Sequence, residues 1–121
     1  MHAGLKSKKI ALFGLGEAGS LVAIDMQKAG NNISAYDPKY VATPAGVDRV
    51  QTPSEAVADA DVVVALTAGD DALGALDQAI TDIPSTALYA DFSTNSASAK
   101  LAMADRAARF GFEFVDVALM T

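Results

Sequence analysis

The stretch from Lys9 to Ser20 constrains the fold more than any other part of the chain. Ile10 to Phe13 is a short apolar run that reads as a buried strand, and it leads directly into Gly14, Gly16 and Gly19. A helical pattern starts at once. Three glycines at this spacing have separate jobs: Gly14 permits the tight turn, Gly16 leaves bare backbone that a pyrophosphate can approach, and Gly19 lets the helix lie close on the strand. The free N–H groups and the dipole of the helix start then face the anion. Purely structural strand–helix turns use the same glycines, so the rest of the chain decides what the loop holds.

The remaining sequence alternates between strand and helix patterns. The first strand covers Lys9 to Phe13, and a helix follows from Glu17 to Ala29, with Ala18, Leu21, Val22, Met26 and Ala29 on one face. Gly30 stops it, and Asn31 and Asn32 turn the chain. A second strand, Ile33 to Tyr36, ends at Asp37 and Pro38, because proline has no N–H for a ladder. The segment from Lys39 to Thr52 is irregular, broken by Pro44 and Gly46, with a short extended piece at Val47 to Val50. Ser54 and Glu55 open a brief helix ending at Asp59 or Ala60. Val62 to Leu66 is apolar on both faces, as an interior parallel strand requires. A loop at Thr67 to Gly69 leads to a helix from Asp71 to Ile83, with Pro84 beyond it. Ala87 to Ala90 is the fourth strand, Asp91 to Thr94 its exit loop, Asn95 or Ser96 to Phe110 a long helix closed by Gly111, and Glu113 to Ala118 a fifth strand. Such alternation predicts an α/β fold, a doubly wound parallel sheet of the Rossmann type, as a single domain over residues 1–121 with a flexible start at 1–7.

Composition narrows the partners. At 121 residues, 51% apolar but only 7% aromatic, the chain can build a core from small side chains without staples. A net charge of −6 and a pI near 4.4 exclude nucleic acid and anionic membrane as the expected partners, since both need basic patches. The absence of cysteine removes thiol chemistry and Cys-ligated zinc, and no metal site is expected. The longest apolar run, Val62 to Leu66, is far too short to span a membrane. Lys6, Lys8 and Lys9 faintly imitate a signal peptide, but Gly14, Gly16 and Glu17 interrupt its apolar part, so a cytoplasmic protein is expected.

Asp37, at the end of the second strand, stands where a carboxylate accepts hydrogen bonds from an adenosine ribose. Its charge repels a 2′-phosphate: two unit charges about 4 Å apart interact by about 1 kcal/mol in bulk water and about 4 near a protein surface. NAD is therefore expected in preference to NADP, although Lys39 offsets part of the repulsion. The other reading of Asp37 is a simple Asp-Pro turn. Glu17, in the first helical turn, complements the dipole and points to solvent. Crevice-lining loops in open α/β sheets lie at the C-terminal ends of strands. Here those are Leu66, Thr67 and Ala68, of which Thr67 can reach the nicotinamide-side ribose or pyrophosphate, and Asp91 to Thr94, where Ser93 and Thr94 can hydrogen-bond a substrate carboxylate. Ser93 and Thr94 fit equally well as ordinary caps of the helix that follows.

With these residues in place, nearly the whole chain, from Ile10 to Asp116, resembles the N-terminal cofactor domain of the β-hydroxyacid dehydrogenase family, which includes 3-hydroxyisobutyrate, 6-phosphogluconate and tartronate semialdehyde enzymes. The resemblance rests on Phe13 to Gly19, Lys28 to Gly30, Ala35 to Asp37, Ser54 to Ala56, Ala60 to Leu66, Asp91 to Thr94 and Gly111 to Asp116. It implies that Gly14, Leu15, Gly16, Glu17, Ala18, Gly19 and Asp37 hold NAD, that Leu66, Thr67 and Ala68 cover its pyrophosphate and ribose, and that Ser93 and Thr94 lie between nicotinamide and substrate. The implied reaction is hydride transfer between the nicotinamide and a 3-hydroxyacid. Two departures accompany it. The family's Ser-Gly-Gly loop is replaced by Val117 to Thr121, with Met120 at the serine position. The family's catalytic lysine, on a helix of a following helical domain, has no counterpart. Lys100 reads as a solvated surface charge, so no catalytic residue is assigned, and this chain alone is expected to bind better than it reacts. A separate helical domain or a homo-oligomer is the implied partner besides the small-molecule substrate. Two other readings are a regulatory nucleotide-sensing module of a transporter or complex, which has no need of the Asp91-to-Thr94 loop, and a structural domain whose glycine loop is empty.

Overall fold

The computed structural model describes residues 7–39, 42–67 and 71–117. Six strands form one sheet: β1 (Lys9–Phe13), β2 (Asn32–Tyr36), β3 (Asp48–Arg49), β4 (Val62–Ala65), β5 (Leu88–Asp91) and β6 (Glu113–Asp116). Four helices connect them: α1 (Glu17–Lys28), α2 (Pro53–Val57), α3 (Asp71–Ala79) and α4 (Ala97–Phe110). The strand order is β3-β2-β1-β4-β5-β6 and every pairing is parallel. Chain direction across the sheet reverses between β1 and β4, and a crevice opens there at the strands' C-terminal ends, the place where ligands bind in this architecture.

The β1 and α1 boundaries follow the glycine pattern. α1 stops at the cap Ala29, and Gly30 takes the left-handed turn at φ 95. Three elements depart from the sequence reading. The extended piece around 47–50 becomes a true edge strand, Ser34 pairing with Asp48 and Ala35 with Arg49, so the sheet has six strands and not five. The helix expected to reach Ile83 ends at Ala79 and tightens into a 3-10 turn at Ile80–Asp82. Pro84 forces this, because the residue before a proline is pushed out of helical conformation, and Ile83 is extended at ψ 121. The last strand ends at Asp116; Ala118 lies outside the described residues.

The core is asymmetric. On one face of the sheet α2, α3 and α4 bury Ala56, Val57, Leu76, Met103 and Ala107 against Phe13, Val63 and Tyr89. Phe13, Phe112 and Phe114 surround the Tyr89 ring at centroid distances of 6.0–6.2 Å. On the other face α1, through Ala23 and Met26, packs with Ile10, Leu12, Ile33 and Ala35. Alanines at helix–sheet contacts keep the layers close, as the small-residue composition implies.

Candidate cofactor crevice

The glycine loop is built from two close approaches and one open position. At Gly14, with φ +105, an added Cβ would lie 3.0 Å from the Leu66 carbonyl carbon and 3.1 Å from the Thr67 nitrogen. At Gly19 it would lie 2.0 Å from the Gly14 oxygen, so only glycine lets α1 seat against the turn. At Gly16 an added Cβ would meet nothing within 4 Å. The chain itself does not require glycine there. Gly16 is also the N-cap of α1, and no side chain caps that end. Among the described residues the N-terminal amides of α1 thus have no side-chain cap, and such amides with the helix dipole suit an anion. Glu17 is an exposed acid in the first turn, and Ala18 is exposed beside it.

Asp37 closes the loop from the side. Its Oδ2 accepts the Leu15 N–H at 2.7 Å and its Oδ1 the Lys39 N–H at 2.8 Å. The turn reading is thus correct as far as it goes, and the carboxylate also ties the glycine loop to the end of β2. Leu15 takes part through its backbone alone, since its side chain is buried in the core. Arg49, unremarked in the sequence, folds back from β3. Its Nη2 donates to the carbonyls of Asp37 and Lys39 at 2.8 and 2.9 Å, and its Nη1 to Thr43 Oγ1 at 3.1 Å. Tyr36, Asp37, Lys39, Thr43, Arg49 and Gln51 line a cavity of about 590 Å³. A cation on the extended piece beside an irregular loop was the available signal.

Thr67 is buried, and its Oγ1 has no partner among the described residues. It lines a cavity of about 180 Å³ with Gly14, Gly16, Asp37, Leu66 and Asp71. A buried hydroxyl without a partner costs free energy, and a ligand oxygen in that cavity would supply one. Ala68 lies outside the described residues.

At the exits of β5 and β6 the structure overturns one expectation. Lys100 is not a solvated surface charge: its Nζ donates to Asp91 at 2.5 Å and Asp116 at 2.7 Å, and its side chain is only 14% exposed. Asp91 is completely buried. Two acids ending neighbouring parallel strands, Asp91 and Asp116 in register, were the sequence signal for an intervening cation. Ser93 Oγ donates to the Asp91 carboxylate at 2.7 Å and accepts from Asn95 Nδ2 at 2.8 Å. The cap of α4 is Ser96, whose Oγ accepts the Ala99 N–H, so neither Ser93 nor Thr94 has the capping role. Both line a cavity of about 260 Å³ with Phe92, Asn95, Lys100, Asp116 and Val117. Met120 lies outside the described residues.

Burial pulls the Lys100 ammonium down, but its hydrogen bonds to Asp116 and Asp91 and their charges outweigh this and hold its pKa above the ordinary lysine value. It is a charged tether, not a base. Burial, reinforced by Asp91 and Asp77, pushes the Tyr89 phenol up as well. Both groups keep their protons in the folded chain at a pH where the unfolded chain, with ordinary values of 10.0 for tyrosine and 10.5 for lysine, loses them. Their stabilisation is complete below about pH 10 and is lost as the pH rises from there. Urea denaturation midpoints are expected to drop between about pH 10 and 11.5; a flat profile there would contradict both assignments.

A dinucleotide fits these residues: an uncapped helix start, an open glycine, a carboxylate at the end of β2 and an orphaned buried hydroxyl converge on one crevice. Fold and site together define a dinucleotide-binding α/β domain. More narrowly, the chain belongs to the family described as the NAD binding domain of 6-phosphogluconate dehydrogenase, whose sequence profile matches residues 9–119. Among solved structures, a 3-hydroxyisobutyrate dehydrogenase of Mycobacterium tuberculosis with L-serine superposes with a TM-score of 0.86 at 24% identity, over 96% of this chain and 42% of that one. An imine reductase variant of Myxococcus stipitatus in complex with NAD+ gives 0.82 at 17% identity over the same shares. The imine reductase of that organism in complex with NADP+ gives 0.76 at 18%, over 93% and 41%. The chain thus spans less than half the length of these proteins. A sequence search of curated proteins finds no match.

Proposed function

We propose that this chain is the NAD-holding part of an oxidoreductase that transfers hydride between the nicotinamide and a 3-hydroxyacid, with the acid–base group supplied from outside these residues. The observation that carries the cofactor reading is Gly16: it heads a helix with no side-chain cap, and among the described residues nothing lies within 4 Å of where its Cβ would stand. When bound, the cofactor supplies the hydride chemistry; the protein contributes orientation and electrostatics. The α1 amides hold the pyrophosphate, Asp37 accepts from the ribose hydroxyls, and Thr67 Oγ1 pairs with a cofactor oxygen.

The hydroxyl of Ser93 has already given its proton to Asp91 and taken one bond from Asn95, so it offers the cavity a single acceptor site. That suits the hydroxyl of a carbinol. Thr94, exposed on the same cavity, offers a hydroxyl that can donate to the carboxylate. The sequence reading gave the carboxylate to both.

The test is calorimetric titration of NAD into the chain and its Gly16→Ala variant. The glycine has φ −66, open to alanine, so the variant should melt like the parent. Its affinity for NAD should fall at least about tenfold, or about 1.4 kcal/mol. Unchanged affinity would remove the loop from the cofactor site. Asp37→Ala should weaken NAD by about 10–100-fold, the worth of a hydrogen bond to a charged group, and NADP by clearly less. An equal loss for both would mean that Asp37 acts only through the Leu15 tie, leaving the NAD preference without support.

A further inference from the structure

The turn that carries Asp37 is held from outside itself. Between β2 and β3 the described residues form neither helix nor strand, so no ladder fixes this connection. Its far half is seated by packing. Val47 is buried in the core with Ile33 and Ala35, and Gly46 lies so close to α1 that an added Cβ would run into the Gln27 amide. The near half, Asp37 to Lys39, has a different support. The carbonyls on either side of Pro38, those of Asp37 and Lys39, both accept from Arg49 Nη2 at 2.8 and 2.9 Å, while Nη1 donates to Thr43 Oγ1 at 3.1 Å. A single guanidinium thus gathers both halves of the connection. Its own place is set by the sheet, since Arg49 pairs with Ala35 and the next N–H, that of Val50, donates to the Ala35 carbonyl at 2.9 Å. From Asp37 the line of contacts runs on through Oδ2 to the Leu15 N–H in the glycine loop.

We propose, resting on the cofactor reading above, that Arg49 is a positioning residue for the adenosine ribose. It acts through Asp37, does not itself bind the nucleotide, and so carries part of the preference for NAD. Charge alone points the other way: an arginine beside Lys39 on a cavity of about 590 Å³ resembles a receptor for a 2′-phosphate. The hydrogen bonds decide against that. The fork is turned onto backbone carbonyls, and at Asp37 the acceptor is the carbonyl and not the carboxylate. Each carboxylate oxygen accepts one backbone N–H, from Leu15 or Lys39, and keeps a second acceptor position for a ribose hydroxyl. A planar fork can meet several separate acceptors at once, whereas an ammonium has the charge without the fork. Without Arg49 the two carbonyls turn to water, the Asp37 turn gains freedom, and a bound nucleotide must order it again. Fixing the backbone of one residue is worth roughly tenfold in affinity.

The experiment titrates NAD and NADP by calorimetry into the whole chain, Arg49→Met, Arg49→Lys, Asp37→Ala and the double variant Asp37→Ala with Arg49→Met. Arg49 is half-buried on the edge strand, so its variants are expected to melt near the parent. In the ligand-free proteins, 15N spectra follow the Leu15 and Lys39 amides, the two that donate to the Asp37 carboxylate. Arg49→Met is expected to move both amide signals, to weaken NAD about tenfold and to weaken NADP clearly less. Arg49→Lys should stay within about threefold of Arg49→Met, because it restores the charge alone. On top of Asp37→Ala, Arg49→Met should add less than about twofold, since both act through one carboxylate. A loss for NADP as large as that for NAD, or larger, would overturn the proposal. So would a full further loss in the double variant, recovery of the parent affinity by Arg49→Lys, or unmoved amides. If the parent takes up no NAD, the cofactor reading falls and the role of Arg49 with it. A parent that binds NAD no better than Arg49→Met overturns the role of Arg49 alone.

Discussion

Gly19→Ala is expected to disrupt the cofactor crevice and the fold together. The new Cβ would stand 2.0 Å from the Gly14 carbonyl oxygen, where real Cβ atoms stay beyond 3.0 Å. Neither side can yield easily. Gly14 is itself pinned against Leu66 and Thr67, and its N–H donates to the Tyr36 carbonyl at 2.9 Å, so the strain is passed to α1, which must lift from the strand. Overpacking of this kind costs about 1–3 kcal/mol and more where backbone blocks backbone. A loss near 3 kcal/mol lowers the melting temperature of a domain this size by about 10–15 °C. Calorimetric melting should show that drop, and NAD titration should show no measurable heat. Gly16→Ala separates the two effects, because it keeps the fold and loses the affinity. A Gly19→Ala protein that melts within about 2 °C of the parent would mean that α1 and the turn are not in the contact described.

Lys100→Met is the second large effect, and it acts at the exits of β5 and β6. Removing the ammonium leaves Asp91, wholly buried, without its cation, and Asp116 in register beside it. Breaking a buried pair from one side costs about 3–5 kcal/mol, because an uncompensated charge stays in the interior. The expected loss of melting temperature is about 10–20 °C at neutral pH. The double variant Lys100→Met with Asp91→Leu should recover much of it, since replacing both partners by apolar groups is often near neutral. If the single variant melts like the parent, the pair is not formed in solution, and the description of Ser93 as held through Asp91 falls with it.

The central strands and the glycine loop could be read before the structure because their causes are local. A β-branched apolar run, three glycines at fixed spacing and Gly30 beyond a helix each act within a few residues. Arg49 and Lys100 escaped because their partners are set by sheet register. Lys100 sits nine residues from Asp91 and sixteen from Asp116, and only the alignment of β5 with β6 brings the two acids to one ammonium. The capping alternative for Ser93 and Thr94 failed for a more local reason. A serine before a helix looks like a cap, and which serine caps is decided where the helix begins, at Ser96. α3 was overextended because its apolar pattern continues to Ile83, while Pro84 acts backward on the residue before it.

The strand order also governs how the chain must fold. β1, almost at the beginning of the sequence, occupies the middle of the sheet, and its pairing to β4 joins residues as distant as Ile10 and Val62. Closing so long a loop costs entropy before any contact of that pairing forms, and parallel sheets assemble slowly for this reason. On a ribosome β1, α1 and β2 emerge ahead of β4 and present their apolar faces until it follows. The hydrophobic centre thus completes late, and the interval before it does so is the period in which this protein is most open to aggregation.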